Sequence, residues 1–451
     1  MKTIGKYIIR GLLGRGGMSR IYKVEHPVIG KILALKHLDP DPLLVRLMGM
    51  EDIRAMFVAE AVTMAGLRHP NIVEIFDFDE VAGRPFYLMA YFANNLRVMI
   101  GESNRPDEPS RPLPVEKAIR YTRHTLQGLA CLHHSGIVHR DIKPANLLIT
   151  DQDAVKICDF GLSKLHGEKF RGPPSLKVGS AWYAPPEQET DPDDVDARAD
   201  LFSVGLTFYR LLTGVLPPDS YRPVGRFNAD LDEDWDDFIQ TAAAPRVRDR
   251  FGSAPEMLAA LDALARSWQS ANERICRLRD SEKDHLKPEI TVAAAPLRRD
   301  CLKVDPRQAS NRFPIDRLRR PRIYHHRNFE RSAAETVTDG AARRLWQQAG
   351  SPFQLSWPTA RAYIERLNTE GFAGHRDWRL PTIDELITLL TDIPRVGDDC
   401  LAPVFAPGRP WLWSCDRRSF TAAWYVSTDM GFVAWQDFSA PLYVRAVRNL
   451  S

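Results

Sequence analysis

The sequence contains no apolar run of about 18 residues or more, so no stretch of it is long enough to form a membrane-spanning helix. Its first residues, 1–7, break early into glycine and lysine and lack the apolar stretch of a secretory signal peptide. We therefore expect a cytoplasmic protein without a transmembrane segment.

Cysteine is sparse and is never arranged as C-x-x-C, the spacing typical of zinc and thiol-redox motifs. The six cysteines lie at positions 131, 158, 276, 301, 400 and 415. Reduced thiols in a cytosolic protein explain this scattered pattern better than a metal site or a disulfide framework does. We expect all six to be free.

Neither sign of charge is in excess, since 61 Lys and Arg residues stand against 58 Asp and Glu residues in 451. The overall charge therefore identifies no partner. Arginine is concentrated locally in 298–331, but without interleaved aromatic residues or a recognisable binding motif. We interpret 281–324 as a basic linker and do not expect nucleic acid as a partner. Contact of this segment with an anionic partner is the alternative.

The periodicity of the apolar residues divides the chain into a β-rich part and a helical part. Strand patterns occupy 5–38 and 72–92, and helical patterns occupy 51–67, 115–134 and 197–280. A proline-rich break at 103–114 separates the two parts. The order predicts a small β-rich lobe at about 1–92 and a larger helical lobe at about 93–280.

One motif in the helical part combines three kinds of polar group at fixed offsets between apolar runs. In Val138–Leu148 these are the Asp141 carboxylate, the Lys143 ammonium and the Asn146 amide. Phosphoryl transfer needs such a set. A carboxylate orients the attacking hydroxyl, a cation stabilises the transferring group, and an amide oxygen helps to hold a metal.

A glycine-rich turn precedes this motif, between two predicted strands. It contains Gly14, Gly16 and Gly17, and Ser19 occupies the place of the third glycine in G-x-G-x-x-G. Glycines let the backbone approach the phosphates of a nucleotide, although a structural hairpin is the interpretation if the turn is taken alone.

Two further charged residues follow the turn. Lys36 ends an apolar strand, and Glu60 lies on the predicted helix 51–67. We predict a Lys36–Glu60 ion pair, which would fix the ammonium against nucleotide phosphates. Asp159, 18 residues after Asp141, precedes Phe-Gly at a strand end, where a carboxylate suits magnesium.

Together these motifs resemble the eukaryotic-type (Hanks-type) Ser/Thr protein kinases of bacteria, in family order and at family spacing over residues 7 to about 266. The resemblance implies a bilobal protein kinase fold of the α+β class over 1–280. It also implies a non-specific serine/threonine protein kinase that transfers the γ-phosphate of ATP to protein substrates.

The resemblance further implies roles for individual residues. Asp141 would deprotonate the substrate hydroxyl, Lys143 would lie near the γ-phosphate, and Glu60 would hold Lys36 against the α- and β-phosphates. The implied cofactors are ATP and Mg2+, with Asn146 and Asp159 as metal ligands. The implied nucleotide-binding residues are Leu13, Gly14, Arg15, Gly16, Gly17, Ile21, Ala34, Lys36, Met89, Tyr91 and Leu148.

Other matches to the family concern the scaffold and its control. Glu187 would pair with Arg250, and Asp200 would anchor the catalytic loop from below. Arg140 before Asp141 suggests control by a phosphate on the following loop. Segment 162–187 contains no threonine, and our hypothesis is that Ser175 is the phosphorylated residue. The alternative is that Ser175 is an unmodified loop serine.

The C-terminal third, 325–451, resembles the Lcl C-terminal family (DUF1566), which is related in pattern to C-type-lectin-like folds. The resemblance rests on an ordered series of motifs that includes Asp377–Thr382, Trp413-Ser414 and Tyr443–Arg448. It implies a second α+β domain with an unknown ligand or protein partner, acting in recognition or regulation.

The leading hypothesis is thus an ATP- and Mg2+-dependent Ser/Thr protein kinase with a C-terminal recognition domain. One alternative is a pseudokinase scaffold, which the presence of Lys36, Asp141, Asn146 and Asp159 argues against. The other is a ligand-binding receptor in which the kinase part is secondary.

Overall fold

The computed structural model divides the chain into two units, Met1–Ala271 and Asn272–Ser451. It describes residues 2–103, 105, 107–160, 164–165, 182–191, 193–217, 221–280, 297–324, 329–332, 335–391 and 400–450. The predicted phosphorylation site, Ser175, lies outside the described residues.

The first unit begins with strands and continues mainly with helices, in the predicted order. Its strands are β1 (Thr3–Ile4), β2 (Tyr7–Arg15), β3 (Ser19–Glu25), β4 (Ile32–Leu38), β5 (Ile75–Val81), β6 (Arg84–Ala90), β7 (Asn94–Asn95), β8 (Ile137–Val138), β9 (Leu147–Ile149), β10 (Val155–Ile157) and β11 (Lys164–Leu165). Its helices are α1 (Pro42–Met48), α2 (Met50–Ala65), α3 (Leu96–Ile100), α4 (Val115–His134), α5 (Pro186–Thr190), α6 (Arg198–Thr213), α7 (Glu233–Ala242) and α8 (Ala254–Asp280), of which α8 continues past the end of this unit at Ala271.

The small lobe is an antiparallel sheet in the order β1-β2-β3-β4-β6-β5, with α2 packed against it. Strand β4 is central, and its apolar side chains Leu33 and Leu35 are buried. Helix α2 buries Phe57 and Met64 at helical spacing, and this brings Glu60 on the same face toward β4.

The large lobe is built around α6, in which every residue from Ala199 to Thr213 is buried. A helix that is surrounded on all sides forms the centre of a lobe rather than its surface. Helices α4 and α7 pack against it. Strands β7, β9 and β10 form a small sheet, and β9 directly follows the segment that contains Asp141, Lys143 and Asn146. Within the described ranges of the chain, no helix has both the length and the apolar character required to cross a bilayer.

The second unit is rich in sheet. Its strands are β12 (Phe329–Ser332), β13 (Thr336–Asp339), β14 (Arg344–Gln347), β15 (Trp411–Arg417), β16 (Ala422–Ser427), β17 (Phe432–Asp437) and β18 (Val447–Asn449), and its helices are α9 (Ala309–Arg312), α10 (Trp357–Glu370) and α11 (Ile383–Ile387). The strands form two antiparallel sheets, β12-β13-β14-β18 and β15-β16-β17. Trp346 and Trp424, one from each sheet, contribute to one buried core.

Much of the predicted linker belongs to this second unit. The part at 281–296 lies outside the described residues, but from 297 onward the chain contributes Val304, Phe313 and Ile315 to the core. The backbone of Leu302 and Val304 bonds to Arg417 at the edge of β15, at 2.8 and 2.9 Å. The sequence pattern did not indicate this, because the apolar residues are irregularly spaced among many basic ones.

The expectation of six free thiols is wrong for two cysteines. Cys301 and Cys415 form a disulfide, with their Cα atoms 5.4 Å apart and a sequence separation of 114. The spacing of cysteines along a sequence does not reveal which of them pair, so this bond could not be derived from the pattern.

Candidate active site

The loop between β8 and β9 brings three of the predicted site residues together. Lys143 Nζ donates to Asp141 Oδ2 at 2.6 Å. Asn146 Nδ2 donates to the same oxygen at 2.9 Å and to the Asp141 backbone carbonyl at 2.8 Å. The Asp141 carboxylate is therefore held in one orientation by a cation and an amide. A fixed orientation is required of a group that accepts a proton at a defined place.

Asp200, near the start of α6, fixes the shape of this loop by accepting hydrogen bonds from its backbone. Its carboxylate is fully buried and accepts the backbone N–H groups of His139, at 2.9 Å, and Arg140, at 2.8 Å. His133 Nε2 lies 2.8 Å from the same carboxylate. Arg140 has a φ of +66°, which is unfavourable for a residue with a Cβ, so the Asp200 bonds stabilise a strained backbone directly before Asp141.

The predicted Lys36–Glu60 ion pair is present in the small lobe. Lys36 Nζ lies 2.7 Å from Glu60 Oε1, and both side chains are buried. The same ammonium lies 2.9 Å from Asp159 Oδ1, so Lys36 joins a carboxylate of α2 to one after β10. Tyr87, which is opposite Lys36 in the β4–β6 register, also donates to Glu60 Oε1, at 3.1 Å.

The electrostatics of this cluster favour the charged forms. Burial by itself would lower the pKa of Lys36, but the Asp159 and Glu60 carboxylates outweigh it and hold that pKa well above its usual value. Lys36 in turn lowers the pKa of Asp159 to about 2. Burial raises the pKa of the neighbouring Cys158 thiol far above the ordinary range, which favours the thiol over the reactive thiolate.

The glycine-rich turn between β2 and β3 is open on the side where the glycines lie. A Cβ added at Gly14, Gly16 or Gly17 would meet no protein atom closer than 3.7 Å. None of the three has a positive φ. The protein's own packing therefore does not require glycine here, whereas a ligand that approaches the backbone would.

The other predicted nucleotide-binding residues lie on strands of the small lobe, directly after β6, or on β9 of the large lobe. Ala34 and Met89 are paired across β4 and β6 and are buried. Leu148 is on β9 and half-buried, and Lys23 Nζ lies 4.9 Å from the centre of the Tyr91 ring. Of the remaining three, Ile21 is half-buried, and Leu13 and Arg15 are exposed.

The predicted metal ligands have the donor chemistry that magnesium prefers. Asp159 and Asn146 offer a carboxylate and an amide oxygen, both hard donors. Asp159 is ionised, and its side chain is 42% exposed even though one oxygen receives Lys36. The Asn146 nitrogen is taken by Asp141, which leaves its oxygen for another partner. The two residues therefore fit a divalent cation.

A comparison with protein families identifies the first part of the chain. The profile of the protein kinase domain matches residues 7–310, which is more than half of the chain. The chain belongs to the protein kinase family. The predicted bilobal kinase fold of the first unit is thereby confirmed, and the pairs described above belong to a kinase domain.

Several relatives with curated names are described as serine/threonine-protein kinases, or probable ones, of bacteria. PknL of Mycobacterium tuberculosis is 30% identical over 291 residues, which is 61% of this chain and 70% of that protein. The probable kinase pknA2 of Bifidobacterium longum is 35% identical over 221 residues, 49% of this chain and 28% of that protein. The solved kinase domain of Mycobacterium tuberculosis PknI is 27% identical, with a TM-score of 0.45, over 58% of this chain and 97% of that one.

The likeness is limited in extent. The chain spans 28% of the length of the Bifidobacterium longum relative and 39% of the length of another relative, the probable serine/threonine-protein kinase CPE1738 of Clostridium perfringens. The second part of the chain has its own match, since residues 335–448 fit the profile of the Lcl C-terminal domain. The predicted combination of a kinase domain and an Lcl C-terminal domain is therefore confirmed.

Several residues that shape the kinase site were not predicted. They are His133 beside Asp200, Tyr87 beside Glu60, and Gln188, which donates to the Arg140 carbonyl at 2.8 Å. Tyr87 could have been found from the strand register, because it is opposite Lys36. The other two contacts join residues 48 or more positions apart and leave no local pattern.

Proposed function

We propose that the first unit is an ATP- and Mg2+-dependent enzyme that transfers the γ-phosphate to Ser or Thr hydroxyls of protein substrates. This proposal rests mainly on two clusters of polar side chains, one around Lys36 and one around Asp141. Lys36 is bound to Glu60 and Asp159, while Asp141 is oriented by Lys143 and Asn146. Both clusters are assembled in one chain that belongs to the kinase family.

Each cluster has a distinct task in this proposal. The Lys36 ammonium, kept charged by its two carboxylates, binds the α- and β-phosphates beneath the glycine-rich turn. Asn146 and Asp159 hold magnesium, which when bound neutralises phosphate charge. Asp141 accepts the proton of the attacking hydroxyl, and Lys143 stabilises the negative charge near it.

The alternative of a scaffold without transfer activity is disfavoured. It predicts that at least one of the phosphate, metal or proton-accepting groups is missing or turned away. Instead, the described site holds all of these groups within hydrogen-bonding distance of their partners.

The test compares the wild type with Asp141→Asn in transfer of labelled phosphate from ATP to a general protein substrate with magnesium. Loss of a positioned proton acceptor lowers such rates by about 10²–10⁴-fold. Asp151→Asn is the matched control, because Asp151 is an exposed residue of the β9–β10 turn. Equal labelling by the wild type and Asp141→Asn would refute the role of Asp141.

For the second unit we propose recognition of a ligand or partner that regulates the kinase or selects its substrates. This is supported by its separate core and by the match to a distinct family. A chain ending at residue 280 should still label the general substrate but lose any response to the partner. Unchanged partner dependence would contradict this role.

A further inference from the structure

Arg319 occupies a position in the second unit where the backbone disfavours arginine. Its φ is +62°, a left-handed conformation that glycine and asparagine adopt more readily than residues with long side chains. Asp316 Oδ1 accepts the Arg320 N–H at 2.8 Å. The Arg319 carbonyl accepts the N–H of Val433, in β17, at 2.9 Å. These bonds fix the strained turn, and a need for the arginine side chain itself would explain why the strain is retained.

The Arg319 side chain is half-buried, and no carboxylate neutralises its charge. The guanidinium lies over Trp424, with Cζ 5.8 Å from the centre of the ring. Within the described part of the chain it forms no hydrogen bond and no ion pair. Burial lowers the pKa of Arg319, and the Tyr425 hydroxyl offsets this effect only in part. Because arginine stays charged in proteins, loss of the proton does not relieve the cost of burial.

A second guanidinium, that of Arg418, lies close to the first. Arg418 directly follows β15, and its Cζ is 3.5 Å from the centre of the Trp435 ring. Trp435 is opposite Trp424 in the β16–β17 register, so both rings lie on one face of the sheet, with Cβ atoms about 5 Å apart. Burial lowers the pKa of Arg418, and Asp305, which acts in the opposite direction, forms no ion pair with it. The two cations therefore repel each other without a described carboxylate bound to either.

This arrangement suits a doubly charged anion. A phosphate monoester carries about two negative charges at neutral pH and three acceptor oxygens, and arginine binds phosphate through paired N–H groups. A guanidinium that is stacked on an aromatic ring keeps the N–H groups at its edge available for such bonds. A bound phosphate would supply the missing acceptors and remove the repulsion between the two charges.

We propose that Arg319 and Arg418 form a binding site for a phosphate monoester on a serine or threonine of a protein segment. The protein-bound ester is favoured over a free phosphate because the first unit, in its proposed function, makes such esters. The second unit then recognises phosphorylated protein partners. This inference rests on the proposed function of the second unit as a recognition domain, and it names the chemical class of the partner.

The experiment measures binding of a fluorescently labelled peptide pool to the full chain by anisotropy, without ATP and at low salt. Each peptide carries a central phosphoserine, and the same pool without phosphate is the reference. We expect the phosphorylated pool to bind about tenfold more tightly than the reference, and inorganic phosphate to displace it only at much higher concentration. Arg319→Asn and Arg418→Gln should each weaken this binding by about tenfold or more, in the range of one hydrogen bond between charged groups.

The matched control is Arg361→Gln. Arg361 of α10 also lies over an indole, with Cζ 5.5 Å from the centre of the Trp357 ring, but on a different element. This variant should bind the phosphorylated pool as the wild type does.

A stability measurement separates a binding role of Arg319 from a structural one. Asparagine tolerates the left-handed conformation and carries no charge, so Arg319→Asn removes the strain and the buried cation together. We expect its second unit to unfold in urea at the same midpoint as the wild type or at a higher one, as followed by hydrogen exchange. A lower midpoint would give Arg319 a structural role and overturn this inference.

Other results would overturn it as well. They are equal binding of the phosphorylated and reference pools, binding that survives Arg319→Asn, and displacement by inorganic phosphate as effective as by the phosphorylated peptides. Because ATP is absent, the result does not depend on phosphate transfer. A chain that transfers phosphate but binds no phosphorylated peptide overturns this inference alone, whereas one that binds through Arg319 but transfers none supports it and refutes the proposed transfer.

Discussion

Replacement of Asp200 by Asn tests how the catalytic loop is held. The carboxylate is fully buried and accepts from the His139 and Arg140 backbone and from the His133 ring, all at 2.8–2.9 Å. Asn has nearly the same shape but only one accepting oxygen. At least one of the three donors must then face the new amide nitrogen.

The expected loss of stability can be worked out from these contacts. A buried donor without a partner costs about 1–3 kcal/mol. The two hydrogen bonds that remain lose the assistance of the negative charge, which is worth roughly 1 kcal/mol each. We therefore expect Asp200→Asn to lower the free energy of unfolding of the first unit by about 3–5 kcal/mol.

Hydrogen exchange in increasing urea, followed by mass spectrometry, measures this change for the first unit separately from the second. The informative peptide covers 137–148, which includes the amides of His139 and Arg140. Asp196→Asn is the matched control, because the Asp196 side chain is 33% exposed and binds Arg198 at the surface. Its loss should stay below about 1 kcal/mol.

Equal losses of stability in Asp200→Asn and Asp196→Asn would refute this role of Asp200. Wild-type protection of the His139 and Arg140 amides in Asp200→Asn would refute it as well. In either case the strained backbone of Arg140 would have to be held by other contacts.

Two further predictions concern the disulfide and the acid range. Cys301→Ser should lower the free energy of unfolding of the second unit by about 2–4 kcal/mol because the disulfide closes a long loop, whereas Cys131→Ser should not. Urea unfolding with and without dithiothreitol measures this difference. An unfolding midpoint that does not change on reduction would contradict the prediction. The folded pKa of Asp159, about 2, lies below the usual value of about 3.9, so its charge stabilises the fold above about pH 4 and less so as the pH falls toward 2. The stability difference between wild type and Asp159→Asn should therefore narrow between pH 5 and pH 3 in urea titrations, and a constant difference would disprove the coupling to Lys36.

The sequence predicted those helices and strands that depend on interactions between residues close together in the chain. The helix predicted at 115–134 is observed as Val115–His134, because its apolar residues recur at helical spacing between Pro114 and Gly136. The Lys36–Glu60 pair was predicted from the position of Lys36 at the end of an apolar strand pattern and of Glu60 on the predicted helix 51–67. In contrast, the sequence pattern also predicts a helix at 382–391, but the helix in the structure is only Ile383–Ile387. The predicted helix is too long because the apolar residues continue beyond the end of the observed one.

Contacts between distant parts of the chain could not be predicted in this way. The contacts of Ser110 are one example, since the sequence shows this residue only as part of a proline-rich break, and its partners Arg210 and Gly214, in α6 and directly after it, lie about 100 residues later. One signal was available in Arg210, a charged residue in a helix that is otherwise apolar. A buried arginine requires a partner, but sequence alone does not say that the partner is Glu102, whose Oε1 lies 3.4 Å from Arg210 Nη1.

The backbone bonds between residues 302–304 and Arg417 have a consequence for fragments of this protein. Strand β15 is an edge strand, and these bonds cover part of its free side. A fragment that starts at 335, where the match to the Lcl family begins, would uncover that side and leave Cys415 unpaired. Exposed edge strands pair with each other and aggregate, so a soluble C-terminal fragment should begin at about residue 297.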